Sequence, residues 1–537
     1  MHNKRSYIIL ICLSLLFLVV FISVDFTPKK SSDTYSNLCI SNEEFEKIKQ
    51  EKNVVDSSLL NSIFFNGEEL LYDDKNNIFY YSLIEDDSNA YIPTVEWANS
   101  SVTLAFNNNE ITDDLIKNNE SIKMIAYNDK QYHEYEIKCT TLPLLNIYSG
   151  DIDNKQDFFT REYDYQKAKI ELFDNREDKD IRNFSYDGKI RVRGNDSKKF
   201  PKKGYKLVID QYEVEDNKKA LSSMLDLRDG NEYVLYAAYN DQEKIRNVFS
   251  SNLWYESCAK NNEFDLNNGT QYKYVELFLN NEYWGLYALG YKIDDLQEDI
   301  NLDDNSKEYI YKKLHGGIPE LNYDFINFEN NEYSMESSKN DEYSKEVLDS
   351  YYNVLLNSNN KEELLNIVDI NNSIDIYLFF NLIQHVDGAC SIKGDIQWLY
   401  NIFLVSKEKD GNVKMIYAPW DMDRTWGEGF DNDQIYDIPN SFNVIIEYNV
   451  VYKLMQLGDL EIDKMVNDRY KYLRENEWSD ESLLNMLNTY ENQIFNSGAY
   501  IRDRERWPDG MYQDNKLDTF KNYVMERVHY CDSLYLK

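Results

Sequence analysis

The stretch "MIYAPWDMDRTWGEG", Met415 to Gly429, carries an apolar run into two acids, Asp421 and Asp423. Trp420 and Trp426 flank the acids, and glycines close the segment. Such a run reads as a buried strand that opens into a loop. The acids are two residues apart, so in an extended segment both carboxylates face one side. Two clustered carboxylates suit a hard divalent cation, which takes oxygen ligands and keeps several waters. The same pair also fits the acid and base of glycoside hydrolysis.

Upstream lies "LIQHVDGACSIKGDIQWLYNIFLV", Leu382 to Val405. An apolar helix ends there in His385-Val386-Asp387-Gly388, and Asn401 begins a strand-like run. Asp387, Asn401 and Asp421 thus present a base, an amide and a carboxylate in that chain order. Further upstream "RVRGNDSKKFPKKGYKLVI", Arg191 to Ile209, packs seven Lys and Arg into one strand pair. Such an island can hold an anion, or it can be a solvated strand face. Between these, "NDQEKIRNVFSSNLWYESC" reads as a helix with Asp241 as N-cap and Ile245, Val248, Phe249 and Leu253 as its apolar stripe. "YKYVELFLN" and "EYWGLYALGY" read as a hairpin turning at Asn280-Asn281.

The 537 residues exceed what one core serves, and two or three domains are expected. A hydrophobic fraction of 42% with 15% aromatics excludes a disordered chain. The net charge of -37 argues against nucleic acid as a partner, since phosphate binding needs a cationic surface. Lys4 and Arg5 precede an uncharged run, Tyr7 to Val24. That run is at the lower limit for spanning a bilayer, and its basic flank favours a cytoplasmic residue 1–6 segment. The reading is a single-pass signal anchor at 7–24, with a linker at 25–40 and the bulk of the chain extracytoplasmic. Residues 41–145 show short alternating runs between Asn/Asp clusters, expected as a small β-sandwich. Residues 146–537 go from strand-rich, to about 294, to helix-rich. The six cysteines show no CxxC spacing, and Cys39 and Cys139 bracket one segment as a candidate pair.

"RGNDSKKFPKKGYKLVI", "AYNDQEKIRN", "YVELFLNNEYWGLY", "VDG…YNIFLV", "PWDMDRTWG" and "YIRDRERWPDG", in that order, resemble the CotH (spore coat protein H) kinase-like family. The resemblance implies an α+β, divergent protein-kinase-like domain of two lobes, about 146–294 and 295–537, with ATP bound between them. It implies transfer of the γ-phosphoryl of ATP to Ser or Thr of secreted or cell-surface proteins, with Mg²⁺ or Mn²⁺. Some relatives act as surface adhesins, so a non-catalytic scaffold is the alternative. By motif, Asp387 matches the catalytic acid, with Asp395 open as the base across the inserted segment. Asp421 and Asn401 match the metal site, and Lys202 and Lys203 the phosphate-binding lysines. Met415 and Tyr287 are expected as adenine walls. Arg246 with Glu276 is a candidate ion pair.

Overall fold

The structure, a computed structural model, describes residues 31–99, 101–107, 110–149, 164–179, 181–194, 196–210, 212–214, 218–220, 223–313, 333–338, 342–385, 390–392, 396–398, 401–428, 449–514 and 517–536. The chain forms two compact units, one of residues up to 116 together with 120–140, the other of 117–119 and 141–537.

In the first unit, Ser31–Thr34, Thr94–Trp97, Ile63–Phe65 and Glu68–Glu69 form one sheet. A second is built around Gln131–Thr140, which pairs antiparallel with Ile122–Tyr127 and parallel with Ile78–Ser82. Alternate residues of these strands, and of Thr103–Phe106 beside Ile122–Tyr127, meet in one core containing Phe65, Phe79, Val95, Phe106, Met124 and Ile137. Cys39 and Cys139 both lie in this unit as free thiols.

The second unit begins with seven strands. They are β1 (Leu144–Tyr148), β2 (Gln166–Phe173), β3 (Asn183–Arg193), β4 (Gly204–Ile209), β5 (Glu232–Tyr236), β6 (Tyr272–Leu279) and β7 (Glu282–Tyr291). They close into a barrel in the order β1-β2-β3-β4-β5-β7-β6. Closure depends on β1, antiparallel to β2 on one side and parallel to β6 on the other. With β1 in place neither side of the sheet is left unpaired. Inward positions at period two, such as Ile170, Ile190, Val192, Leu207, Leu235, Leu277 and Leu289, fill the interior. The β6–β7 hairpin turns at Asn280 and Asn281 with φ of 52° and 66°. Positive φ at both central residues is the turn that matches strand twist.

Helix α1 (Arg246–Ser257) follows β5 in the chain. After β7 come β8 (Tyr309–Lys313), β9 (Tyr333–Met335), α2 (Glu342–Asn357), α3 (Lys361–Asn366) and α4 (Ile370–Ile383). Then come β10 (Ile402–Lys409), β11 (Asn412–Pro419), α5 (Val450–Gln456), α6 (Leu460–Glu475), α7 (Asp480–Glu491), α8 (Ala499–Arg506) and α9 (Asp518–Tyr535). Strands β9-β8-β10-β11 form one sheet. Phe249, Trp254, Phe379, Val405, Ile416, Trp426 and Phe520 share the core that joins this sheet and the helices to α1.

Two expectations are corrected here. The two-lobed, kinase-like α+β architecture, preceded by a β-sandwich and a transmembrane helix, is replaced by a mixed α/β chain containing a closed seven-strand barrel. The physical reason is β1, which supplies the strand that an open sheet would lack. The single-pass membrane anchor is corrected because no helix among the described residues is long and apolar enough to cross a membrane. Tyr7 to Val24 itself lies outside the described residues.

Glu298 is fully buried after β7, and burial pushes its carboxyl up to about 8 despite the nearby Lys407 ammonium. It is therefore protonated in the folded state where it would be ionised in the unfolded chain. Folding takes up a proton between the unfolded value near 4.5 and about 8, so this group's contribution to stability falls as pH rises through that window. Glu298→Gln keeps the neutral form. Its stability relative to wild type should rise by about 1.4 kcal/mol per pH unit from pH 5 to 8, read by urea unfolding. A difference independent of pH would show that Glu298 is ionised in the fold.

Candidate functional site

The acid-bearing segment is a tight turn held from three sides. Trp420 N donates to Asn401 O (3.0 Å), and Asn401 Nδ2 donates to Asp421 O (3.3 Å). Met422 N donates to Asn247 Oδ1 (2.8 Å), and Arg246 Nε donates to Thr425 O (3.2 Å), both from α1. Trp426 N donates to Ile383 O at the end of α4 (2.7 Å). Asp421 has φ of 54°, a left-handed conformation that Asp tolerates better than most residues. The tryptophans are anchors rather than walls of an opening. Trp420 packs edge-on against Phe403, and Trp426 sits against Phe249 and donates to Ser250 Oγ (3.0 Å).

Helix α1 explains the firmness of this turn. Its stripe of Val248, Phe249 and Leu253 is buried as its periodicity requires, but Arg246, Asn247 and Ser250 are buried too. The polar face is covered because it holds the turn. Asp241 does not sit at the N-cap position, which is Ile245. Its carboxylate instead accepts from the Arg246 amide (2.7 Å) and guanidinium (2.7 Å).

Around the two acids the structure gathers groups from distant parts of the chain. Asn240 Nδ2 reaches Asp423 Oδ2 at 3.4 Å. Arg193, the last residue of β3, places its guanidinium 5.5 Å from the Trp420 ring centre. Lys312 on β8 stands within electrostatic reach of both Arg193 and Asp421. Burial, then the like charge of Arg193, holds the Lys312 ammonium below its ordinary value, while Asp421 and Glu336 oppose this. Burial and the charges of Asp423, Asp241 and Asp421 push the Tyr236 phenol well above its usual range. Tyr272 is raised mainly by burial, with Arg193, Asp421 and Asp423 all nearby. The site therefore has two acids, two cations and two phenols that stay protonated. Beside Asn240, Tyr239 stacks on Phe200 with ring centres 5.1 Å apart, and both are half-buried.

The residues expected from sequence are distributed differently. Asp421 and Asn401 come together, bonded through the turn. Lys202 does not join them. Its ammonium is fully buried against Asp503 Oδ1 (2.7 Å), Leu286 O (2.6 Å) and the Tyr287 ring (4.6 Å), with no face left for a phosphate. Burial lowers its affinity for a proton, and Asp503 opposes that. Lys203 Nζ donates to the Lys198 carbonyl (2.5 Å). Tyr287 is a barrel-core residue whose hydroxyl donates to Lys203 O (2.9 Å), and Met415 is buried in β11, so neither offers a surface to adenine. Arg246 does not pair with Glu276. It takes Asp241 and Glu243, while Glu276 pairs with Arg502. Asp387 and Asp395 lie outside the described residues. Just before Asp387, His385 is buried edge-on to Phe380, and burial pushes it down to about 3, so it is neutral. The carbonyls of Arg424 and Trp420 act on it in the opposite direction, which places it beneath the turn.

Arg193 and Lys312 were missed as site residues. Arg193 belongs to the basic island and ends its alternating strand at Gly194, which was its signal. Lys312 lies in "EYIYKKL", where nothing in the sequence separates it from a solvated strand lysine.

A divalent cation fits this site in one specific way. The described residues contain no group of three or more His, Cys, Asp or Glu able to hold a metal. Mg²⁺, however, is held by one or two carboxylates together with phosphate oxygens and water, and Asp421 and Asp423 supply two carboxylates. No curated protein matches the chain. The family described as CotH kinase protein matches residues 190–531, which includes the Asp421 turn, Arg193, Lys312 and α1. The chain belongs to the CotH kinase protein family.

Proposed function

We propose that the chain transfers the γ-phosphoryl of ATP to a Ser or Thr hydroxyl of a partner protein. One observation carries this reading: Arg193 and Lys312 are brought from separate strands to the electrostatic neighbourhood of Asp421, on a turn fixed by α1. Phosphoryl transfer requires little of a protein beyond positioning and charge stabilisation, and this arrangement supplies both. Asp421 and the Asn401 side-chain oxygen would hold Mg²⁺ or Mn²⁺, with Asp423 as the neighbouring carboxylate. The cation, when bound, supplies charge neutralisation between the phosphates. Arg193 and Lys312 take the remaining phosphate charge. Phe200 and Tyr239 offer a flat aromatic pair for the base. Asp387, assigned by motif, orients the acceptor hydroxyl.

Asp421→Asn tests the nucleotide half of this reading. An amide keeps the turn's shape and removes the charge that holds a cation against phosphate. Calorimetric titration with ATP and Mg²⁺ should show at least a tenfold loss of affinity, while titration with ATP alone changes little. Equal affinity of mutant and wild type for ATP with Mg²⁺ would make Asp421 a turn residue only.

A further inference from the structure

The outer face of the barrel carries a line of cations that leads to Arg193 and whose other members the site does not use. Lys167 on β2 lies directly opposite Lys189 on β3, and Arg191 lies directly opposite Lys206 on β4. Directly opposed like charges stand about 4.5–5.5 Å apart at Cβ and disfavour the sheet. Lys206 is relieved by Glu232 at 2.8 Å. Among the described residues, Lys189 and Arg191 share only the Tyr165 ring, at 4.8 and 4.7 Å. Lys167, Lys189 and Arg191 are all exposed, and among the described residues none has a carboxylate within ion-pair distance. This is notable in a chain with 95 Asp and Glu against 58 Lys and Arg. Lys189, Arg191 and Arg193 occupy one face of β3, so the line runs about 13 Å along the strand and ends at the Asp421 turn.

We infer that this stripe docks a short acidic segment of a partner polypeptide. Charge complementarity selects the occupant. Within a screening length of about 10 Å a short segment meets mainly the stripe, whereas a long polyanion such as nucleic acid also meets the acidic remainder of the molecule. Docking is distinct from nucleotide binding and is read without it.

The test is fluorescence anisotropy of a labelled twelve-residue Glu-rich peptide with the full chain, in low salt and without nucleotide. The expected result is saturable binding that weakens as salt is raised and falls at least tenfold in Lys189→Glu/Arg191→Glu. The control Lys464→Glu/Lys471→Glu makes the same change of charge on α6 and should bind as wild type does. Should the first variant fail to fold, Lys189→Gln/Arg191→Gln replaces it, with a threefold or greater loss expected. Calorimetry with ATP and Mg²⁺ on the same variants should match wild type, separating failure of docking from failure of the nucleotide site. The inference is overturned by no binding to wild type, by equal losses in stripe and control variants, or by tighter binding of an oligonucleotide of equal charge.

Discussion

Asp503→Ala is expected to destabilise the second unit by about 3–5 kcal/mol, the scale for removing one partner of a buried ion pair. Asp503 on α8 accepts from the Lys202 ammonium, from the Leu286 amide (3.0 Å) and from the Tyr512 hydroxyl (2.9 Å). Its loss leaves a fully buried ammonium with one carbonyl and one ring face. Gly285 confirms how tight this approach is. It has φ of +130°, and a Cβ there would lie 2.4 Å from Asp503 Oδ1. The control is Lys202→Met/Asp503→Leu, which removes both charges and should recover most of the loss. Urea unfolding of the full chain measures both. A loss below about 1 kcal/mol in Asp503→Ala would mean that Lys202 is neutral in the fold, and so would a double mutant no more stable than the single one.

Arg193→Ala and Lys312→Ala should each lower kcat/KM for phosphoryl transfer by about 10²–10³, the range for removing one preorganised donor from a developing charge. Both cations stand near Asp421 without being consumed by it, so they are available to phosphate oxygens. Lys203→Ala supplies the comparison, because its ammonium serves the Lys198 carbonyl at the base of its own loop. That variant should stay within about threefold of wild type. The reverse ranking, with Lys203 decisive and Arg193 silent, would return the phosphates to the Pro-Lys-Lys run.

Local periodicity made much of the architecture readable. The alternation in β3 and β4, the Asn280-Asn281 hairpin and the stripe of α1 all follow from side-chain spacing. Barrel closure was not readable. Leu144 and Leu145 continue an apolar run from the preceding strand, and nothing local says that the chain changes partners after Thr140. The site divides the same way. Asp421 stood out as one of two acids two residues apart beside two tryptophans, and Asn401 by its place in the motif order Asp387, Asn401, Asp421. The fate of Lys202 depended on Asp503, far along the chain, a partner that the motif match making it a phosphate candidate does not announce. Lys312 became part of the site only through the pairing of β8 with β10, a long-range contact that a lone lysine does not announce.

As proposed, the Asp421 turn, with Arg193 and Lys312, is a site of phosphoryl transfer. Its most direct measurement is transfer of the labelled γ-phosphoryl of ATP to protein Ser or Thr, in the presence of Mg²⁺ or Mn²⁺, by wild type and by Asp421→Asn. Wild type should give labelled phosphoserine or phosphothreonine, and the mutant should lose at least about 10²-fold of it. Transfer by Asp421→Asn at the wild-type rate, or none by wild type with either metal across a panel of candidate protein acceptors, would contradict it.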